Sequence, residues 1–430
     1  MIWGMFSIVA FNLADTYFIG QLGATELAAV SFTFPVIMFF GSIAIGLSMG
    51  LTSVISKAFG QKDYHLVKRL GSDSIVLSLL IVIVFSTLGY FLIDQTFDLM
   101  GADALLRPII KEYMEVWYLG MVFLVVPMVS NGAIRGSGDT VVPAVIMTVA
   151  AGANIILDPI FIFGGFGIPA MGVKGAAIAT VIARGITLFA SLYFLLFRLK
   201  ILSFEIPSWK EFYFSARSVL RIGIPTAGSN IIIPISLGFI TAILAQFGND
   251  AVAAFGVVSR LESFAMLVMI GFSTALSPFV GQNFGANQMD RVKTAFKLGM
   301  AFSISWGLLT AIIFFFMNKT LIRIFNTSPG IVQYASIYML FVPFSYGLEG
   351  IRLIATNIYN SLGAPIPPTL MAGLRMVVLY VPLAYLGAQY WGVKGVFAAQ
   401  FIGNSIVGLV AVFFLSRFIE RLQEKPEQTH

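Results

Sequence analysis

Two carboxylates stand in sequence that offers them no nearby cation. Asp15 lies within the apolar run Phe11-Asn-Leu-Ala-Asp-Thr-Tyr17, and Asp158 within Asn154-Ile-Ile-Leu-Asp-Pro159. Asn154 and Asp158 are four residues apart and so share one face of a helix. Pro159 has no amide to donate and obstructs the helical bond to the carbonyl of Ile155, leaving that oxygen free. A carboxylate, a carboxamide and a freed carbonyl on one face make oxygen ligands for Na⁺ or a hydrogen-bonded place for a proton. The blander alternative is a structural hydrogen bond from each acid to a neighbouring hydroxyl or amide. Other chemistries have little to work with. There is no cysteine, and the two histidines are His65 in a basic loop and His430 at the terminus. No P-loop, metalloprotease motif or nucleophile elbow is present.

The acids stand out because charge is scarce. Of 430 residues 58% are hydrophobic and only 11% charged, with a mean hydropathy of +0.92. Soluble domains carry about 25% charged residues. Repeated apolar stretches of this kind define an all-α polytopic membrane protein. Twelve spans are predicted, over about 1–19, 27–56, 70–93, 108–132, 141–163, 173–197, 219–245, 251–280, 292–317, 331–357, 367–387 and 393–416. An ionisable group inside hydrocarbon costs roughly 2.5–3.5 kcal/mol, so each requires an explanation. The chain starts inside an apolar segment, with no charged leader region or cleavage site. No signal peptide is expected, and a shortened N-terminus is.

Lysines and arginines set the orientation. Sixteen fall in the loops after spans 2, 4, 6 and 8 or at the C-terminus, and six on the opposite side. The remaining four, Arg184, Arg260, Arg352 and Arg375, fall within spans or at their ends. By the positive-inside rule both termini are cytoplasmic, as an even number of spans requires. The net charge of +6 is therefore topology and no sign of a nucleic-acid partner.

An internal repeat organises the chain. At a spacing of 225, Gly23 and Leu27-Ala-Ala match Gly248 and Val252-Ala-Ala, Phe59-Gly60 matches Phe284-Gly285, and Tyr113-Met114 matches Tyr338-Met339. Gly172-Val-Lys-Gly recurs as Gly392-Val-Lys-Gly at a spacing of 220. Two pseudo-symmetric six-helix lobes are expected, at 1–197 and 218–417, with a cytoplasmic linker at 198–217 and a tail at 418–430. Parallel repeats of this kind let one lobe rock against the other, the arrangement of a transporter. The second lobe lacks both acids: Ile240 stands opposite Asp15, and Val381-Pro382 opposite Asp158-Pro159. Its own candidates are Glu262 and Glu349, the latter three residues from Arg352 and expected to pair with it. Glu115 is expected to be neutralised by Lys111, one turn before it. Met38, Met121, Met128 and Met147 could line an adaptable cavity, though at helical spacing such residues usually serve packing. Gly46-x-x-x-Gly50 and Gly132-x-x-x-Gly136 permit close helix contact.

Across essentially its whole length the chain resembles the multidrug and toxic compound extrusion (MATE) family. The resemblance is carried by Asn12-Leu-Ala-Asp-Thr-Tyr-Phe-Ile-Gly-Gln-Leu-Gly23, Arg135-Gly-Ser-Gly-Asp-Thr140, Asn154-Ile-Ile-Leu-Asp-Pro159, Gly172-Val-Lys-Gly-Ala-Ala-Ile-Ala-Thr180 and Gly281-Gln-Asn-Phe-Gly-Ala286. Acids confined to spans 1 and 5 look most like the DinF-type prokaryotic branch. The resemblance implies two six-helix lobes in a V that export bulky, often cationic compounds in exchange for H⁺ or Na⁺. It implies a cation site of Asp15, Asn154, Asp158 and Thr180, with Tyr113 and Asn131 in support and Met38 in the substrate cavity. It further implies a monomer in the inner membrane of a prokaryote, with drug-like small molecules as partners and no cofactor beyond the coupling ion. The rival within the same superfamily is a flippase for a lipid-linked or polysaccharide precursor, which would commonly have fourteen helices.

Overall fold

A computed structural model of the chain describes residues 1–203 and 205–424. Its helices are α1 (Ile2–Leu22), α2 (Ala24–Gly60), α3 (Tyr64–Phe91), α4 (Arg107–Leu119 with Val122–Gly136), α5 (Val141–Phe163) and α6 (Gly172–Arg198). They continue with α7 (Trp209–Ala245), α8 (Asn249–Gly285), α9 (Met289–Phe325), α10 (Pro329–Ser361), α11 (Ile366–Trp391) and α12 (Val393–Gln423). Eleven are single helices long and apolar enough to cross a membrane, and α4 is a pair bent by 44° that completes a twelfth crossing. Helices suit this environment because lipid offers no partner to a free amide or carbonyl, so each segment must satisfy its own backbone.

The repeat is visible in the backbone. Gly23 and Gly248, Gly138 and Gly363, and Gly172 and Gly392 all hold positive φ at the turns between helices. Glycine adopts that conformation without a Cβ penalty. Lys62 and Asn287, again 225 apart, hold φ of 60° and 57° although neither is glycine. The breaks repeat as well. The kink of α4 falls at Gly120-Met121, and α10 tightens into a 3₁₀ turn at Val342–Ser345, whose last residue is the repeat mate of Gly120.

Two compact units divide the chain, Met1–Ala227 and Gly228–His430, each with its own apolar core. The division falls inside α7 rather than at 218. Gly46 and Gly50 of α2 have no side chain to hold α7 away, and a Cβ on either would strike the backbone of Gly223 or Val219. The N-terminal half of α7 is thereby drawn into the first unit. The polar stretch 198–217 is also not all connector, since α7 begins at Trp209. Ser208 and Glu211 form a capping box there: the Ser208 amide donates to Glu211 Oε2 at 2.8 Å, and the Glu211 amide to Ser208 Oγ at 3.3 Å. Asp73 of α3 holds this region from below, accepting from Arg69 and from Ser215 Oγ, both at 2.7 Å. At the other end α12 runs on to Gln423, taking in the first part of the expected tail. Lys425 and His430 lie outside the described residues.

Candidate cation and substrate site

The first unit holds a cavity of about 560 Å³ between α1, α2, α4 and α6. Its walls follow from local sequence. The kink of α4 places Trp117, Gly120, Met121 and Leu124 along one side, with Tyr113 one turn earlier. Gly120 lies against Val181 of α6, where a Cβ would collide with the valine side chain. From α1 come Phe11, Asn12, Asp15 and Thr16, and from α2 Phe34 and Met38. Thr180 and Arg184, one turn apart on α6, complete the lining.

Asn154 and Asp158 lie on α5 just behind this cavity, both fully buried. Asn154 Nδ2 donates to Asp158 Oδ1 at 2.9 Å, as the four-residue spacing requires. Three buried oxygens of the two acids and Asn154 have no hydrogen-bond partner among the described residues: Asp158 Oδ2, Asn154 Oδ1 and Asp15 Oδ1. Asp15 lies near enough for its charge to act on Asp158, and buried Tyr113 lies near both acids. Helices α1 and α5 also pack tightly several turns before these acids. Gly4 lies against Ala144, where a Cβ would come within 2.9 Å of the alanine Cα, and the Ser7 and Thr148 hydroxyls are bonded at 2.9 Å. Such a set of hard oxygens, partly unsatisfied and shielded from lipid, can take up a proton or a small hard cation.

Of the residues singled out from sequence, Asp15, Tyr113, Thr180 and Met38 line the cavity, and Asn154 and Asp158 flank it. Asn131 is buried further along α4, where its Oδ1 accepts from Ser191 Oγ at 3.3 Å; it is not part of the cavity wall. Met121 joins Met38 in the lining, whereas Met128 and Met147 pack elsewhere. Lys111 does not neutralise Glu115. It reaches Asp94 at 2.7 Å instead, because the short helix Ile93–Leu99 brings that acid alongside.

Arg184 was left without a role by the sequence. It is only partly buried, its Nε has no partner, and its guanidinium lies 5.0 Å from the centre of the Phe11 ring. Spacing held the signal: an intramembrane arginine four residues after Thr180 must share that residue's face.

The second unit treats its acids differently. Glu349 accepts from Arg352 Nε at 2.8 Å and Nη2 at 2.7 Å, the pairing expected from spacing, and from Arg375 Nη1 at 2.7 Å. Glu262 accepts from the Tyr338 hydroxyl at 2.7 Å and from Gln400 Nε2 at 3.1 Å. Tyr338 and Gln400 are the repeat mates of Tyr113 and Thr180. The same scaffold positions thus surround a satisfied acid in one unit and unsatisfied ones in the other.

A many-helix membrane protein with an acid-bearing cavity in one repeat has the architecture of a transporter, and the comparisons give the family. The MatE family model matches residues 1–160 and 225–386, and the chain belongs to the MATE family of transporters. It is 36% identical over 429 residues to a Shewanella oneidensis protein named FAD transporter, covering 99% of this chain and 94% of that one. It is 27% identical over 433 residues to the multidrug export protein MepA of Staphylococcus aureus, covering 98% and 92%. Its structure resembles that of the Vibrio cholerae MATE transporter VcmN in the bent form, with a TM-score of 0.92 at 30% identity over 98% of this chain and 95% of that one.

Proposed function

We propose that the protein exports bulky organic molecules, cationic or amphipathic, in exchange for H⁺ or Na⁺. The coupling ion binds at Asp15, Asn154 and Asp158, with Thr180 at the cavity wall. The observation that carries this reading is the buried Asn154–Asp158 pair with its orphan oxygens, set beside Asp15 and the cavity. An ion bound there cancels negative charge behind α1, changes how α1 packs on α5, and so alters the cavity that holds the cargo. Inward movement of one charge supplies about 2.3 kcal/mol per 100 mV, in addition to any concentration gradient. Multidrug exporters among the relatives support the cargo class. The positive-inside count supports cytoplasmic termini, bacterial relatives support an inner-membrane location, and a cavity contained in one chain supports a monomer.

One observation favours a second cargo. Arg184, with no carboxylate in ion-pair reach among the described residues, brings a cation to the cavity beside Phe11 and Trp117, a combination suited to an aromatic anion. The Shewanella relative carries FAD in its name, which fits that chemistry. Proteoliposome efflux of a fluorescent cation and, separately, of FAD, under an imposed pH gradient and then an imposed Na⁺ gradient, tests both. Transport unaffected by either gradient overturns the coupling.

A further inference from the structure

In the second unit α10, α11 and α12 leave an apolar groove of about 850 Å³. Leu370, Val377, Val378 and Phe414 line it, exposed by 67%, 54%, 59% and 55%. Apolar exposure is ordinary on a surface that faces acyl chains. The end of this groove is not ordinary. Arg417 and Arg421 both line it, one turn apart on the same face of α12, close to where that helix ends. The Arg417 guanidinium stacks on the Phe413 ring, 4.1 Å from its centre, which holds the planar group in one direction. Neither arginine has a carboxylate in ion-pair reach among the described residues. On another side of the same helix turn Glu420 does pair with Lys293, at 3.8 Å.

We infer that this groove holds an anionic glycerophospholipid, with its phosphate between Arg417 and Arg421 and an acyl chain along α11. Guanidinium groups match phosphate oxygens in geometry as well as charge. The apolar wall above them suits a hydrocarbon tail and nothing polar. The positive-inside orientation places the headgroup in the cytoplasmic leaflet. The site also touches the interior of the unit. Its wall includes Leu374, Val377 and Val378 of a π-helical stretch, Leu374–Tyr380, which also supplies Arg375 to Glu349 and to Asn404 at 2.9 Å.

Native mass spectrometry of the full chain, released from detergent with matched phosphatidylglycerol and phosphatidylcholine, reads the proposal directly. Phosphatidylglycerol is expected to be retained in preference to phosphatidylcholine. The double variant Arg417→Gln/Arg421→Gln is expected to lower its retention by about tenfold and that of phosphatidylcholine, whose choline cation offsets the phosphate charge, by much less. Leu370→Trp, which fills the groove, is expected to lower retention of both. Equal retention of the two lipids by the unaltered chain would overturn the inference. So would unchanged retention in the double variant, or a second copy of the chain occupying the groove. Should the double variant not purify, unchanged phosphatidylglycerol binding in Leu370→Trp is equally decisive against it.

Discussion

Asn154 donates to one oxygen of Asp158 and leaves the other without a partner in a fully buried site. A buried polar atom left unmade costs about 1–3 kcal/mol, and such atoms are usually met by protein groups or ordered water. Here three such oxygens converge from α1 and α5. In the second unit the acids Glu262 and Glu349 are each met by at least two donors. The ion site proposed above is the cluster whose acids lack such a set of donors.

Asn154 contributes both its amide donor and an orphan carbonyl oxygen, and Asn154→Leu removes both. With Na⁺ as the driving ion, half-maximal efflux is expected to need roughly tenfold more Na⁺, because one charge-assisted contact is lost. Titration of Na⁺ in proteoliposomes checks this. An unchanged half-saturation point would remove Asn154 from the site.

Arg184→Gln distinguishes the two cargoes. Transport of FAD or another aromatic anion is expected to fall by roughly tenfold or more, while efflux of a cationic dye is unchanged or improved. Equal loss for both would mean that Arg184 shapes the cavity without selecting its occupant.

Gly132 lies against the Ser48 carbonyl of α2, where a Cβ would come within 2.6 Å, and Gly136 lies against Ile55. Gly132→Val must push α2 and α4 apart, at a cost of about 1–3 kcal/mol. Thermal unfolding in detergent should show a lower midpoint. The loss in transport should follow the fraction of folded protein.

Glu349 is the only carboxylate paired with Arg352 and Arg375 among the described residues. Glu349→Ala leaves two cations facing each other in the interior, a change worth about 3–5 kcal/mol against the fold. Yield and unfolding midpoint should both fall sharply. Glu349→Gln, which keeps an acceptor oxygen, should be milder in the same assays.

Much of this was legible in the chain. The twelve spans follow from apolar length alone, and the repeat at 225 reappears in the turns, down to the matched positive φ of Lys62 and Asn287. The Asn154–Asp158 bond follows from their four-residue spacing, whereas Tyr113 and Thr180, which share the cavity wall with Asp15, came from the family resemblance. What periodicity could not give is which residues face one another across helices. Lys111 pairs with an acid on a separate short helix, and Asn131 turns to Ser191. The early start of α7 was written in Ser208 and Glu211, a capping signal hidden by the polarity of its surroundings. Arg184 stood apart from the topology count as an arginine within a span, but its place on the cavity wall depends on the kink of α4.

The proposed exchange has Asp158 hold the ion whose movement is traded for cargo. It is tested most directly by imposing a cargo gradient across proteoliposomes with no ion gradient and recording the ion flux that results. The unaltered protein is expected to drive H⁺ or Na⁺ in the opposite direction to the cargo. Asp158→Asn should still bind cargo, and its thermal stability should be near that of the unaltered protein, yet it should drive no ion. Ion flux in Asp158→Asn equal to that of the unaltered protein would contradict the account.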